Sequence, residues 1–360
     1  MKSINQIAKN GTYLFVLFNI LFMLSCNKVI NNPVQHFDQT QRQNLHHSRI
    51  IQLEEYDILE PKNVIRIDDS YMVWDNNNEK MFNLVNFNLK KVIKGIGRGN
   101  GPGEIISPSS FQLKEGRFFL FDVASKKINQ IEISDITLRL KEIEAIDFDK
   151  RLFGINYLGS HIIATGIFED YWLASIRTDG KVVSRVDFPK FEETDNTPKV
   201  QLSILYISTH MANSPDNKKM IAVTQDHGVI SFFNCIDNSI LKEYKQIKYY
   251  GPSFSIQERG NIAYSKDGLI GFCGLDCDDE YVYALYSGRT FNEHGMLSHH
   301  CENILVYDWD GNPVKHYTLD IPLFSMKFDK EKNTIYGIGY NPEGVFVEYQ
   351  LDDLMVEGNK

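Results

Sequence analysis

The stretch that decides the fold is residues 64–93, which reads VIRIDDSYMVWDNNNEKMFNLVNFNLKKVI. Four runs rich in β-branched and aromatic residues, at 64–67, 71–75, 80–85 and 89–93, are separated by breaks rich in Asp and Asn. Alternation of apolar and polar residues with turn residues at the breaks is typical of antiparallel strands joined by tight turns. The stretch therefore predicts one four-stranded meander.

The same unit recurs five more times along the chain. The later copies lie at 111–133, 155–184, 203–244, 270–317 and 323–349. Units of about 45–60 residues without a long helical period are typical of propeller blades. We therefore predict an all-β chain that forms a six-bladed β-propeller with four-stranded antiparallel blades. Two stacked β-sandwiches are the alternative.

The two ends of the repeat region predict how the ring closes. The sixth unit ends near Leu351, one strand short, and Arg49–Leu53 is a spare strand ahead of the first unit. An N-terminal strand that completes the last blade would hide the exposed edges of the sheets.

The N-terminus has the pattern of an export signal. Residues 1–25 contain Lys2 and Lys9, no acid, and an apolar run that ends at Met23-Leu24-Ser25. This run is too short to cross a bilayer comfortably and fits a signal peptide. The small residue before Cys26 resembles the lipobox of bacterial lipoproteins, which implies acylation of Cys26. An uncleaved anchor helix with an incidental cysteine is the alternative.

The sequence after Cys26 divides into a tether and a domain. Residues 26–47 are rich in Asn and Gln and have no apolar period, which predicts a lipidated cysteine and a flexible tether. Residues 48–360 form the predicted propeller domain. Removing residues 1–25, with two lysines and no acid, changes the formal charge from −9 to −11. This charge argues against nucleic acid as a partner.

A glycine-rich segment, Ile96-Gly97-Arg98-Gly99-Asn100-Gly101-Pro102-Gly103-Glu104, follows the first unit. It resembles a segment of the TolB-like six-bladed propeller lipoproteins of Bacteroidetes. The resemblance implies the fold and a place in the cell envelope, and it carries over no catalytic residue. From the residues alone, the segment is either a structural crossover or a funnel-lining loop with Arg98 and Glu104 exposed. No Lys-Ser/Thr follows the glycines, as a phosphate loop requires.

Four cysteines besides Cys26 are available for pairing: Cys235, Cys273, Cys277 and Cys301. An even number in an exported protein permits disulfides. Cys277–Cys301 and Cys273–Cys277 are the pairs that we expect to test, and free thiols are the alternative.

Two candidate metal sites and one partner site lie in the same region. A zinc site would use Cys273, Cys277, His299, His300 and Cys301, although the spacing matches no common zinc module. The acid run Asp276, Asp278, Asp279 and Glu280 is a weak candidate for Ca²⁺, with a solvated turn as the alternative. We therefore predict no cofactor. The long insertion at 287–302 is the preferred place for partner contact.

Polar residues near predicted first strands would line the central channel of a propeller. They are His161, Ser208, Thr209, His210, Gln225, Asp226 and His227. The leading hypothesis is a non-catalytic lipoprotein that binds a protein, peptide or glycan through its loop face. The alternatives are a metal-dependent hydrolase or lactonase in the funnel and a structural component of an envelope assembly. The absence of an acidic run after Cys26 favours the periplasmic face of the outer membrane over the cell surface.

Overall fold

The computed structural model describes residues 32–76, 79–237 and 239–352. The predicted signal peptide and Cys26 lie outside the described residues. No helix in these ranges is long and apolar enough to cross a membrane.

The chain forms six four-stranded antiparallel blades, of which blades 5 and 6 are continuous through one long strand. Two short N-terminal strands, β1 (Arg42–Leu45) and β2 (Arg49–Gln52), precede blade 1, and β2 supplies the fourth strand of blade 6. Blade 1 comprises β3 (Pro61–Ile67), β4 (Ser70–Asp75), β5 (Lys80–Asn86) and β6 (Lys91–Gly97). Blade 2 comprises β7 (Pro108–Lys114), β8 (Arg117–Asp122), β9 (Lys127–Ile133) and β10 (Leu138–Ala145). Blade 3 comprises β11 (Leu152–Tyr157), β12 (His161–Gly166), β13 (Leu173–Arg177) and β14 (Val182–Val186).

The second half of the ring carries the longer connections. Blade 4 comprises β15 (Thr209–Asn213), β16 (Lys219–Thr224), β17 (Gly228–Ile236) and β18 (Ile240–Tyr250), and a hairpin of β19 (Phe254–Ile256) and β20 (Ile262–Tyr264) follows. Blade 5 comprises β21 (Phe272–Cys277), β22 (Tyr281–Tyr286), β23 (Cys301–Asp308) and the first half of β24 (Pro313–Asp329). Blade 6 comprises the second half of β24, β25 (Thr334–Tyr340), β26 (Gly344–Gln350) and β2.

Short helices lie in the connections. The α-helices are α1 (Lys199–Leu205) and α2 (Phe291–His294). The 3₁₀ helices are Pro33–His36, Gln39–Gln41, Leu53–Tyr56, Glu192–Thr194, Glu258–Gly260 and Gly295–His299. The six-bladed all-β prediction is confirmed.

The ring closes through its N-terminal strand, as the sequence predicts. Strand β2 pairs antiparallel with β26, with Arg49 opposite Glu348. Strand β1 adds a pairing that the sequence did not predict, because it runs parallel to β24 on the outer edge of blade 5, with Arg42 opposite His316. Both strands cover edges that would otherwise be open.

The flexible tether is shorter than the sequence suggested. The side chain of Phe37 is 2% exposed and packs on Tyr307 with ring centroids 5.3 Å apart. His36 Nδ1 lies 2.9 Å from the Tyr249 hydroxyl, and Leu45 is buried. The prediction of a tether through residue 47 is therefore wrong for residues 33–45. Their few apolar side chains bury on blade 5, which outweighs the polar composition of the segment.

The predicted first strand of the fourth unit is also wrong. Residues 203–205 belong to α1, and β15 begins only at Thr209. Pro198 precedes the helix, and the Ser203 hydroxyl bonds back to the Lys199 carbonyl at 3.1 Å. An apolar run of this length does not distinguish a strand from a short helix.

Aromatic side chains pack between adjacent blades. Tyr71 of blade 1 contacts Phe346 of blade 6 with ring centroids 4.6 Å apart, and Phe82 contacts Phe111 of blade 2 at 5.5 Å. Fully burying a side chain of this size stabilises the fold by about 1.5–3 kcal/mol. These contacts hold the blades around one channel.

The connections fall into two sets at opposite ends of the strands. In an antiparallel meander, the first-to-second and third-to-fourth turns lie at one end, which we call the hairpin side. The second-to-third loops and the blade-to-blade crossovers lie at the other end, which we call the crossover side.

Candidate functional site

The first strands of all six blades line a central channel of about 1170 Å³. These strands are β3, β7, β11, β15, β21 and the second half of β24. The channel is open to a small ligand, and its walls mix polar and apolar side chains.

Polar side chains in the channel wall bond to one another. The Gln112 amide donates to the Ile155 carbonyl at 3.0 Å and accepts from the Tyr157 N–H at 3.1 Å. The Asn156 amide donates to Asn213 at 2.6 Å. These bonds join β7, β11 and β15, so the amides hold neighbouring blades together.

The acid run at the end of β21 forms structural contacts to separate partners. The Asp276 carboxylate accepts from the Phe328 N–H at 2.9 Å and lies 3.3 Å from Lys327 Nζ. Asp278 accepts from the Tyr281 N–H at 2.6 Å, and Asp279 pairs with Lys330. The carboxylates do not converge on a common centre, so the Ca²⁺ hypothesis has no site in this run.

The predicted channel residues divide into two groups. Those that line the channel are Ser208, Thr209, His210 and Gln225. His161 begins β12, a second strand, with its Nδ1 3.1 Å from the Ser160 hydroxyl. His227 is buried against Tyr206 at 4.3 Å, and burial lowers its pKa to about 3. The prediction is therefore wrong for His161 and His227, because neither side chain is part of the channel wall.

Asp226 lies next to the channel rather than in its wall. Burial raises the pKa of the Asp226 carboxyl to about 6, and a hydrogen bond from the Ser208 hydroxyl partly opposes this shift. In the channel wall, burial lowers the pKa of His210 to about 4. The prediction of a channel-lining Asp226 is wrong, because the channel wall includes its neighbour Gln225 but not Asp226.

The glycine-rich segment is a structural crossover. Arg98 donates to the carbonyl and the side chain of Asn76 at 2.8 and 2.7 Å, and Glu104 accepts from the Gly101 N–H at 2.8 Å. A Cβ on Gly99 would lie 2.1 Å from the Glu104 carboxylate, so a larger residue there would displace this side chain. Arg98 and Glu104 are exposed as expected, but neither lines the channel. The funnel alternative is therefore wrong.

The expected disulfide pairs are wrong on geometric grounds. Cys273 and Cys277 are four residues apart on β21, about 13 Å along a strand, which is beyond disulfide reach. The Cys277 thiol donates to the Asn213 carbonyl at 3.1 Å. All four described cysteines are free thiols, and the sulfur of Cys301 contacts Cys273 instead.

The zinc candidates do not come together. His300 stacks on Tyr340 with ring centroids 5.1 Å apart, whereas His299 lines the channel. Within residues 32–76, 79–237 and 239–352, no group of three or more His, Cys, Asp or Glu side chains could hold a metal ion. A metal-dependent hydrolase needs such a convergence, so that hypothesis has no metal site in the described chain.

Three long connections on the crossover side form one structure above the channel mouth. They are 187–208, 251–271 and 287–300, and we call them the cap. Ser208 and His299 of the cap also line the channel. On the hairpin side, the turns between strands in the described chain have at most five residues.

Hydrogen bonds join the three parts of the cap. The Gln201 side chain of α1 donates to the Gly260 carbonyl at 3.0 Å. The Asn292 N–H of α2 donates to the Lys266 carbonyl at 2.8 Å. The Tyr264 hydroxyl donates a hydrogen bond to a backbone carbonyl of α1. The cap is therefore an ordered surface rather than three independent loops.

The cap exposes large apolar side chains. Met296 is 79% exposed and Leu297 is 54% exposed. The other exposed apolar residues of the cap are Val200, Ile256, Tyr264 and Phe291. The 287–302 insertion is recognisable from its length in the sequence. The connections 187–208 and 251–271 were not predicted, because their contact with the insertion depends on the ring.

Several solved structures of low sequence identity are similar to this chain. Raptor from Chaetomium thermophilum matches with a TM-score of 0.51 and 11% identity, over 92% of this chain and 31% of that one. An exported protein of Bacteroides fragilis matches with a TM-score of 0.48 and 11% identity, over 87% and 100%. BamB from Moraxella catarrhalis matches with a TM-score of 0.39 and 9% identity, over 81% and 69%.

The family relationship rests on the sequence itself. No curated protein matches the chain significantly. The model of the family described as TolB-like 6-blade propeller-like matches residues 39–331, which span blades 1 to 5 and the beginning of blade 6. The chain therefore belongs to the TolB-like six-bladed propeller family.

Proposed function

We propose that this propeller is a non-catalytic binding protein of the cell envelope, which holds a protein partner on its cap. The observation that carries the proposal is the set of exposed apolar side chains on three mutually bonded connections. Clustered apolar surface that remains exposed in a folded chain is typical of protein interaction sites.

The position of the cap supports the same function. Loops on a rigid scaffold can carry recognition without disturbing the core. The cap lies at one end of the ring, where it adjoins the channel mouth through Ser208 and His299. A partner on the cap can therefore insert a side chain or a chain end into the channel.

Site-specific photocrosslinking tests the proposal. A photoreactive amino acid replaces Met296 in the cap, and in a matched control it replaces Leu89, which is 75% exposed on the hairpin side. Both variants are expressed as full chains in the native envelope. We expect one defined protein adduct from position 296 and none from position 89.

A second variant separates binding from folding. Met296→Glu places a charge on the apolar surface and should remove an adduct formed from position 291. Leu89→Glu should leave that adduct unchanged. Equal adducts from both sides of the ring, or a glycan adduct in place of a protein, would contradict the proposal. Recovery of the adduct in a large multi-protein complex would indicate a structural component of an envelope assembly.

We further propose that a lipid on Cys26 anchors the protein, with the periplasmic face of the outer membrane as the expected location. Pro33 is the first buried residue of the docked N-terminal segment. The resemblance of residues 23–26 to a lipobox supports this proposal.

Metabolic labelling with an alkyne fatty acid tests the anchor. We expect label on the wild-type chain and none on Cys26→Ser, which should appear in the soluble envelope fraction. Cys235→Ser is the matched control and should keep the label. Label that persists on Cys26→Ser would overturn the anchoring proposal without affecting the proposal for the cap.

A further inference from the structure

We propose that Cys273 and Cys301 form a disulfide in the exported protein, and that this bond joins a channel strand to the base of the cap. The spacing of the cysteines in the sequence favoured other pairs, whereas the fold brings these two residues together. The bond would fix the segment 287–300 to the wall of the channel.

The geometry places the two sulfurs together. Cys273 and Cys301 lie in the same buried apolar cluster, where the Cys301 sulfur interacts with both the side chain and the backbone of Cys273. The Cys301 thiol also donates to the His299 carbonyl at 3.5 Å. Cys273 lies at a register shift between Phe272 and Gly274, where β21 departs from regular pairing with β22. Cys301 is the first residue of β23, directly after the cap segment. A β-bulge changes the direction of a side chain, which here allows contact across the end of β22.

The two remaining cysteines have other hydrogen-bond partners. The Cys277 thiol donates to the Asn213 carbonyl at 3.1 Å. The Cys235 sulfur accepts from the Asn213 side chain at 3.9 Å. They therefore serve as matched controls for the proposed pair.

Access to the pair differs between its members. Cys273 lines the channel, whereas Cys301 is completely buried in the apolar cluster that includes Leu285 and Leu323. A small disulfide such as oxidised glutathione can reach Cys273 through the channel. Burial raises the pKa of the Cys301 thiol, so Cys301 is the slower nucleophile.

The chemistry is a two-step thiol–disulfide exchange. The Cys273 thiolate attacks one sulfur of the oxidant, releases one thiol and forms a mixed disulfide. The Cys301 thiolate then attacks the Cys273 sulfur and releases the second thiol. One S–S bond forms in the protein, two S–H protons are lost, and the two electrons reduce the oxidant to two thiols.

Peptide mapping of the full chain tests the proposal. The folded chain is treated with oxidised glutathione, alkylated in denaturant, digested and analysed by mass spectrometry. We expect a Cys273–Cys301 linked peptide in wild type, in Cys235→Ser and in Cys277→Ser. Cys301→Ser should retain glutathione on Cys273, whereas Cys273→Ser should leave Cys301 unmodified.

A thermal measurement provides an independent readout. The oxidised chain should melt about 5 °C above the reduced chain, because the bond restricts the unfolded state. Cys301→Ser should show no such difference. If Cys273 and Cys301 of the folded wild type are both alkylated after oxidation, or if either one links to Cys277, the proposal is wrong. The wild-type map decides the question even where a variant fails to fold.

Discussion

The hairpin side and the crossover side of the ring differ in the length of the connections between their strands. On the hairpin side, short turns connect neighbouring strands and add little surface beyond the ends of the strands. On the crossover side, blades 3, 4 and 5 extend into the cap, which adds helices, a hairpin and exposed apolar side chains. This difference underlies our proposal that the ring is a scaffold and that the crossover side carries the binding surface.

The largest expected effect comes from the base of the cap. Tyr206 is buried, packs on His227 and Phe188 with ring centroids 4.3 and 5.4 Å apart, and donates to the Pro189 carbonyl at 2.9 Å. Tyr206→Ala should lower the free energy of unfolding by about 3–5 kcal/mol, because it leaves a cavity beneath the cap. Urea denaturation measures this loss.

Tyr206→Phe is the matched control for the same position. It retains the ring and removes one hydrogen bond, so the loss should be about 1 kcal/mol. A loss below about 1 kcal/mol for Tyr206→Ala would mean that the cap does not depend on this side chain and is independent of the ring.

The second effect depends on pH. Burial raises the pKa of Asp226 to about 6 in the folded chain, above its value of about 3.9 when unfolded. The folded state therefore binds the proton more tightly, and the contribution of Asp226 to stability is lost as the pH rises from about 4 through 6. Asp226→Asn should be more stable than wild type by about 3 kcal/mol at pH 7 and by almost nothing below pH 4.

The effect of Asp226 is isolated by the difference in free energy of unfolding between wild type and Asp226→Asn. His210 and His227 have lowered pKa values, so their contribution to the stability of each protein increases as the pH rises. This increase opposes the loss that comes from Asp226 in wild type. The histidine contributions cancel when thermal or urea denaturation of wild type and Asp226→Asn is compared at each pH. A difference that stays constant between pH 4 and 7 would show that Asp226 titrates normally.

A pair of glycines compares the packing on the two sides. A Cβ on Gly271, at the end of the cap, would lie 2.5 Å from the His227 carbonyl. Gly116, in a hairpin turn, has a φ of +71°, and a Cβ added there would meet no atom within 4 Å, so its cost is conformational. We expect Gly271→Ala to destabilise by about 2 kcal/mol and Gly116→Ala by about 1 kcal/mol. Chemical denaturation of both variants would contradict this comparison if Gly116→Ala were the more damaging.

The smallest effect belongs to the hairpin side. Ile136 is 87% exposed in the turn between β9 and β10. Ile136→Lys should change the free energy of unfolding by less than about 0.5 kcal/mol and should leave partner crosslinking at position 296 intact. Loss of the crosslink in this variant would contradict the proposal and would indicate that the partner binds on the hairpin side.

Much of the ring was predictable from local pattern. The alternating strands between residues 64 and 93 and the spare strand at Arg49–Leu53 lie where the pattern indicated. The pattern failed at residues 203–205, where a short apolar run forms a helix, and at residues 33–45, where Phe37 and Leu45 dock a polar segment on blade 5. In both places, burial against distant parts of the chain overrides local composition.

The candidate site was predictable only in part. Ser208, Thr209, His210 and Gln225 were placed correctly in the channel wall, because they lie on or beside a first strand or its neighbouring loop. His161 and His227 could not be excluded without knowing which strand faces the axis. The Cys273–Cys301 contact depends on a bulge in β21, which no spacing rule reveals.

By itself, the sequence determined the class of structure: alternating strands, their repetition in six units and the strand that closes the ring. These follow from period-two alternation and turn residues, which act within a few residues of one another. The tertiary structure alone decided which side chains meet. It assembled the cap from three connections, separated the expected zinc ligands and brought Cys301 to Cys273. Such contacts join residues far apart in the chain, and they arise only when the blades pack around their common axis.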